Sequence, residues 1–247
     1  GAGAVLGLTA TLLLQAPAYW LAAVLARASA ERVQLSGSSG TLWDGQAQLR
    51  LTGGPDSQDA SALPGLLHWQ LRPTLTGLWL QLRSDCCTEA PLQLQAQWRW
   101  GGLVLHLQDG RSQWPAALLA GLGTPWNTLR VQGRLQLQTQ ALALQWVQGR
   151  LSLSGQAELL AQELSSRLST LQPMGSYRLR LQGGQTSTLQ LDTLEGSLQL
   201  EGSGSWVGQR LRFEGSASAA PGRVDALANL LNIIGRRNGA RSIIKVG

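Results

Sequence analysis

Fourteen carboxylates and two histidines are the groups that could carry acid–base chemistry in this 247-residue chain, and the adjacent Cys86 and Cys87 are its only thiols. Few of them stand where chemistry needs them. His68 and His106 each fall in a run of alternating apolar and polar residues, with no acid or thiol of complementary role beside them, which favours a solvated strand histidine over a metal ligand. Cys86 and Cys87 lack the intervening residues of a metal-binding or thioredoxin-like pair, so free thiols and a bridge between neighbours are equally open. Ser242-Ile243-Ile244-Lys245 matches a pattern in which a lysine activates a serine nucleophile. That chemistry needs the serine at a helix start and partner motifs elsewhere, whereas here it lies in the final six residues. Neither a phosphate-binding glycine loop nor a nucleophile elbow occurs. The expectation is a chain with no catalytic residue, no metal ligand and no cofactor.

The formal net charge is +6, but Lys245 is the single lysine and the arginines are scattered one at a time along polar positions. A nucleic-acid module would gather its cations on one face, so neither nucleic acid nor a small-molecule substrate is expected as a partner. A weak attraction to anionic lipid headgroups remains a minor reading of the charge.

What the chain must position instead is tryptophan and glycine, ten of the first and thirty of the second, among many short alternating runs. In Gly40-Thr41-Leu42-Trp43-Asp44-Gly45-Gln46-Ala47-Gln48-Leu49-Arg50-Leu51, a strand sorts Trp43, Gly45, Ala47, Leu49 and Leu51 to one face and mostly polar residues to the other. Gly45 marks a bend, a bulge or a close backbone approach. The layout returns loosely around Trp146 and Trp206. Further alternation, as at 67–72, 78–83, 92–100, 103–108, 129–137, 141–147, 151–157 and 177–181, predicts half-buried strands, with a tight hairpin at Gly101-Gly102 and a loop over 53–59. Short helices are predicted over Pro115–Gly121, through Leu160, Leu164 and Leu168 with a Glu163–Arg167 ion pair, and through Val224, Leu227, Leu231 and Ile234. Gly235 stops the last of these, with Arg236 and Arg237 at its negative end. Two or three short helices are too few for so many leucine-bearing strand faces. The sheet must curl, pair with a second sheet, or keep a groove for a lipid tail or a partner.

Ala2 to Ala26 is an apolar stretch long enough to cross a bilayer as one helix, with Tyr19 and Trp20 placed for a headgroup belt. Ala28-Ser29-Ala30 has the small-x-small form of a signal-peptidase site, but the apolar run exceeds the ~7 to 15 residues of a signal peptide's core, which favours a retained anchor. The division expected is a transmembrane anchor over 1–30 and an exported β domain over 31–247.

The N-terminal anchor, Gly40 to Ala47, Pro173-Met174-Gly175-Ser176-Tyr177, the run from Leu191 to Trp206, Phe213-Glu214-Gly215-Ser216-Ala217 and the ending Leu231 to Gly239 together resemble the type II secretion system protein N family, over essentially the whole chain. The resemblance implies a single-pass protein of the bacterial inner membrane. Its periplasmic domain would be a curled, mostly antiparallel sheet, a half-barrel or β-groove related to the AsmA-like proteins. It also implies a non-enzymatic structural subunit that helps export folded proteins and has other type II secretion inner-membrane subunits and membrane lipid as partners. A lipid-binding or lipid-carrying groove protein is the alternative, and an outer-membrane barrel ranks third. Trp43, Gly45, Trp146, Tyr177, Trp206, Arg236 and Arg237 are the residues expected to carry structure or interaction.

Overall fold

Alternation of leucine with glutamine, serine and arginine turns each run into a strand with one apolar and one polar face, and such strands satisfy their backbones only by pairing. In the computed structural model of the chain, which describes residues 15–208 and 210–247, they form one open antiparallel sheet, sixteen-stranded among the described residues. The strands are β1 (Val33–Gly40), β2 (Asp44–Thr52), β3 (Ala60–Ala62), β4 (Leu67–Thr74), β5 (Gly77–Ser84), β6 (Leu92–Arg99), β7 (Gly102–Leu107) and β8 (Gly110–Pro115). They continue as β9 (Gln132–Val147), β10 (Arg150–Ser165), β11 (Gly175–Gln182), β12 (Thr188–Gly196), β13 (Leu198–Val207), β14 (Arg210–Ala219), β15 (Arg236–Asn238) and β16 (Arg241–Val246). Neighbours run in the order β1-β2-β4-β5-β6-β7-β9-β10-β11-β12-β13-β14-β16-β15, with β3 beside β2 and β8 beside β9.

The register lines the apolar residues up across the sheet. Trp69 faces Leu82, Leu80 faces Leu94, Leu94 faces Leu107, Leu105 faces Leu144, Leu144 faces Leu153, Leu159 faces Leu179 and Leu179 faces Leu191. Each such facing pair contributes roughly 0.2 to 1 kcal/mol, and the row as a whole fixes which face is apolar.

A crease crosses the middle of this sheet. Ala141 in β9 (φ 49°) and Gly155 in β10 (φ 80°) both adopt left-handed backbone, and the β9–β10 register breaks between Ser154 and Gln156. The Ala141 N–H donates to Asp109 Oδ1 (2.5 Å), and the Gly183 N–H donates to the Gly155 carbonyl (2.8 Å), so the break continues into the strands on either side. β7 and β8 are the two halves of one strand bent at this line, each pairing with its own half of β9. Bulges aligned in this way bend a sheet and increase its twist.

Helices cover parts of the apolar face. Helix α1 (Tyr19–Ala28) lays Leu21, with Ala18 just before it, over Ala47 and Trp69. A 3₁₀ helix (Ala116–Leu122), α2 (Trp126–Leu129) and α3 (Val224–Ile234) enclose the main core. There Leu129, Val131, Met174, Tyr177, Leu198, Ala217, Leu227, Leu230 and Leu231 are buried together. The 3₁₀ helix leaves β8, beside β9, and reaches β2 and β3. The Ser61 hydroxyl donates to the Ala117 carbonyl (3.3 Å), and Gly121 lies against the Leu51 carbonyl. In a flat sheet β2 would stand about 19 Å from β8, which lies in line with β7, at ~4.8 Å per strand. A seven-residue 3₁₀ helix is about 14 Å long. The sheet therefore curls toward its helices.

Of the three readings open for Gly45, a bend, a bulge or a close approach, the structure shows a close approach, and its partner is Trp69. The Trp69 ring lies over Gly45, where a Cβ would fall 2.5 Å from Trp69 Cζ2 and 2.8 Å from the Thr41 carbonyl. The Trp69 Nε1–H donates to the Leu42 carbonyl (3.1 Å), which fixes the ring there. Tyr177 is equally enclosed. Its hydroxyl donates to the Leu198 carbonyl (3.0 Å), and burial pushes its pKa upward.

Several expectations are corrected. Of the helix predicted through Leu160, Leu164 and Leu168, the first two residues lie in strand β10 and Leu168 in the turn after it. Leu160 stands opposite Gln136 and Arg178, and a bulge at Gln162–Glu163 (Glu163 φ 50°) returns Leu164 to the core side, which mimics helical spacing. Glu163 pairs with Arg134 (2.7 Å) instead of Arg167. The runs at 129–137 and 141–147 belong to one strand, β9, with a short helix before it. Arg236 and Arg237 lie exposed in β15 rather than capping α3, because the chain stays extended at Gly235 and returns as an edge strand. The anchor predicted from Ala2 to Ala26 lies mostly outside the described residues. Within them the helix begins only at Tyr19, since Pro17 bridges Thr41 and Ala16 and Ala18 are buried beside the sheet. Among the described residues no helix is long and apolar enough to cross a membrane.

Stability should respond at each of these buried sites. Gly45→Val should lower unfolding free energy by about 1 to 3 kcal/mol and Trp69→Ala by about 3 to 5 kcal/mol in denaturant titrations. Tyr177→Phe should cost about 1 to 3 kcal/mol, because the buried Leu198 carbonyl loses its donor. Tyrosine ionises above about pH 10 in the unfolded chain while buried Tyr177 keeps its proton. Native stability should therefore fall as pH rises through that range, and the Phe variant should lack this component of the fall.

Candidate functional site on the uncovered sheet face

The polar side chains that could do chemistry stand apart from one another, His106 lying exposed on β7 opposite Gln95 and Ala143. β4 and the loop after β5 bring His68 Nε2 within 3.1 Å of Asp85 Oδ1, a pairing across seventeen residues that local spacing does not encode. The Leu66 N–H, then the His68 ring and Arg83, hold the Asp85 carboxyl below its ordinary value. His68 is half-buried and Asp85 exposed, and no nucleophile joins them. Ser242 is fully buried and donates to the Leu231 carbonyl (2.5 Å), while Lys245 pairs with Glu214 (3.0 Å). Adjacent positions in β16 point to opposite faces, and this three-residue spacing sends serine and lysine apart. Cys86 and Cys87 are bridged to each other, Cys87 being buried against Leu63 and Leu118. Among the described residues no three His, Cys, Asp or Glu side chains gather as a metal site would require. The hollow along the crease is lined by Gln138, Gln140, Gln156, Glu158, Arg180 and Gln190, and its arginine already pairs with Asp192 (3.0 Å).

What the fold does assemble is apolar surface. Between the cover supplied by α1 and that of α3, the leucine row of β6, β7, β9 and β10 is only half-buried, and its tryptophans stand in water. Trp98 faces Leu103, which faces Trp146, which in turn faces Leu151, so four strands contribute one continuous strip. Alternation sends these residues to one face, and antiparallel pairing brings them side by side.

The predicted tryptophans share a place in the fold. Trp43 lies in the turn between β1 and β2, Trp146 two residues before the β9–β10 turn and Trp206 two residues before the β13–β14 turn. These turns lie at the same end of the sheet. Trp43 and Trp206 are half-buried and Trp146 is exposed. Gly45 and Tyr177 serve the cores described above, and Arg236 and Arg237 are remote from the strip on the last edge. Trp98 and Trp100 lay in a run read only as strand face. Their shared location depended on strand pairing, which their spacing does not encode.

The family model described as type II secretion system (T2SS), protein N, matches residues 31–244. No curated protein and no solved structure matches the chain. The family match begins just before β1 and ends within β16, taking in all of the sheet except its last residues. The chain therefore belongs to the type II secretion system protein N family.

Proposed function

We propose that the chain is a non-enzymatic structural subunit of the inner-membrane assembly of the type II secretion system, with its curled sheet in the periplasm and its N-terminal apolar segment as anchor. The family match carries this reading. It is supported by a long sheet that offers extended surface for neighbouring subunits, and by polar groups that stand apart from one another. Other inner-membrane subunits of the same machine are its partners. The continuous, half-covered leucine strip supports a second reading, a β-groove of AsmA-like kind that shields acyl chains.

Crosslinking in intact membranes followed by affinity purification separates the two. Secretion subunits recovered in fixed proportion support the scaffold, whereas stoichiometric phospholipid without them would replace it with the carrier. Alanine at His68, His106 or Ser242 should leave secretion intact wherever the variant folds; a folded variant that stops export would sink the non-enzymatic reading. Fractionation gives the remaining check: the chain should resist alkaline carbonate extraction.

A further inference from the structure

Strand register puts the β4–β5, β6–β7 and β9–β10 hairpin turns at one end of the sheet. Thr74 faces Gly77, Gly77 faces Gln97, Arg99 faces Gly102 and Gly102 faces Val147. At these tips Leu75 and Trp100 are fully exposed, and Trp98 and Trp146 are 61% and 56% exposed. Single apolar residues on a surface are ordinary, but a cluster of large rings on adjacent hairpins marks a contact site.

Charge differs between the two ends of the sheet. The tip segments 71–80, 96–104 and 144–153 contain Arg72, Arg99 and Arg150 and no carboxylate, and Asp44, at the β1–β2 turn of the same end, accepts from the Gln70 amide (3.2 Å) in the strands next to this cluster. The connections at the opposite end carry both signs, with Asp56, Asp59, Asp85, Glu89 and Asp225 alongside Arg32, Arg130, Arg167 and Arg223. The chain also enters the sheet at the tip end. The Leu42 N–H donates to the Ala16 carbonyl (2.7 Å) and Pro17 bridges Thr41 in the β1–β2 turn, while the Leu71 N–H donates to the Trp43 carbonyl (2.7 Å). Leu12, Leu13 and Leu14 immediately precede this entry in sequence.

Indole rings, arginines on hairpin tips without a carboxylate and the entry of an apolar chain are three independent features, and a bilayer surface with anionic headgroups fits all three. We infer that the hairpin-tip end is a docking face for an anionic lipid surface. Leu75, Trp98, Trp100 and Trp146 enter the headgroup zone, Arg99 and Arg150 meet lipid phosphates, and the strands rise away from the membrane. The inference rests on the membrane-anchored reading above and adds to it the orientation of the sheet.

The test uses the full chain reconstituted into phosphatidylethanolamine–phosphatidylglycerol vesicles. An environment-sensitive fluorophore is placed on Leu75→Cys or, at the opposite end, on Leu194→Cys, under non-reducing conditions that keep Cys86–Cys87 bridged, with the unsubstituted chain as labelling control. The Leu75 probe should shift to the blue and be quenched by brominated acyl chains, while the Leu194 probe stays aqueous. Trp98→Ser with Trp100→Ser, and separately Arg99→Glu with Arg150→Glu, should remove at least about half of the quenching while the chain still floats with the vesicles. An aqueous Leu75 probe on a floating chain overturns the docking face and leaves the anchor standing. A chain that does not float overturns both. Equal quenching in purely zwitterionic vesicles overturns the role assigned to the arginines.

Discussion

The structure depends on keeping one face of a very long sheet apolar. Side chains alternate with a period of two, so a one-residue slip anywhere would turn a strand's leucines into water. The facing pairs from Trp69–Leu82 to Leu179–Leu191 hold that register across the sheet. A helix can cover only a few strands. The result, among the described residues, is three buried clusters, one under α1, one at Leu63, Cys87 and Leu118 against the 3₁₀ helix and one enclosed by α3, with a strip whose packing is incomplete. Curling supplies part of what helices do not, and the crease at Ala141 and Gly155 is the backbone device for it.

The same constraint explains why stability and recognition occupy different residues. Trp69 and Tyr177 spend their polar atoms on the Leu42 and Leu198 carbonyls and their rings on packing, so they lie within the cores. Trp98 and Trp146 face leucines across the strand but stand more than half exposed. A tryptophan of the first kind determines whether the chain folds. One of the second kind is free to determine what the folded chain touches.

Much of the architecture was legible in the sequence because alternation is a local property. The strands from Leu67 to Leu107, the hairpin at Gly101-Gly102, the helix after Pro115 and the final helix all followed from neighbours a few residues apart. Bulges defeated the same logic. One extra residue at Glu163 made a strand look helical, and left-handed Ala141 made one strand look like two. Long-range partners were not legible either. Trp69 over Gly45, Asp85 beside His68 and the Cys86–Cys87 bridge depend on how the chain returns or closes, which spacing leaves open. The match in family was legible, since it rests on the order of short motifs along the whole chain.

An open sheet has two edges, and each is a template on which a foreign strand could pair. Here one edge is β15, three residues long and bearing exposed Arg236 and Arg237. The other, β1, is bulged near Gly37 and bonded at both ends by the segment before it, through the Ala18 N–H to the Gly40 carbonyl and the Val33 N–H to Ser29 Oγ. Neither edge invites another strand to continue the ladder. A strand added at either end of the path would have to displace these devices, whereas side chains on the faces and hairpin ends can be engaged without any hydrogen bond of the sheet being exchanged.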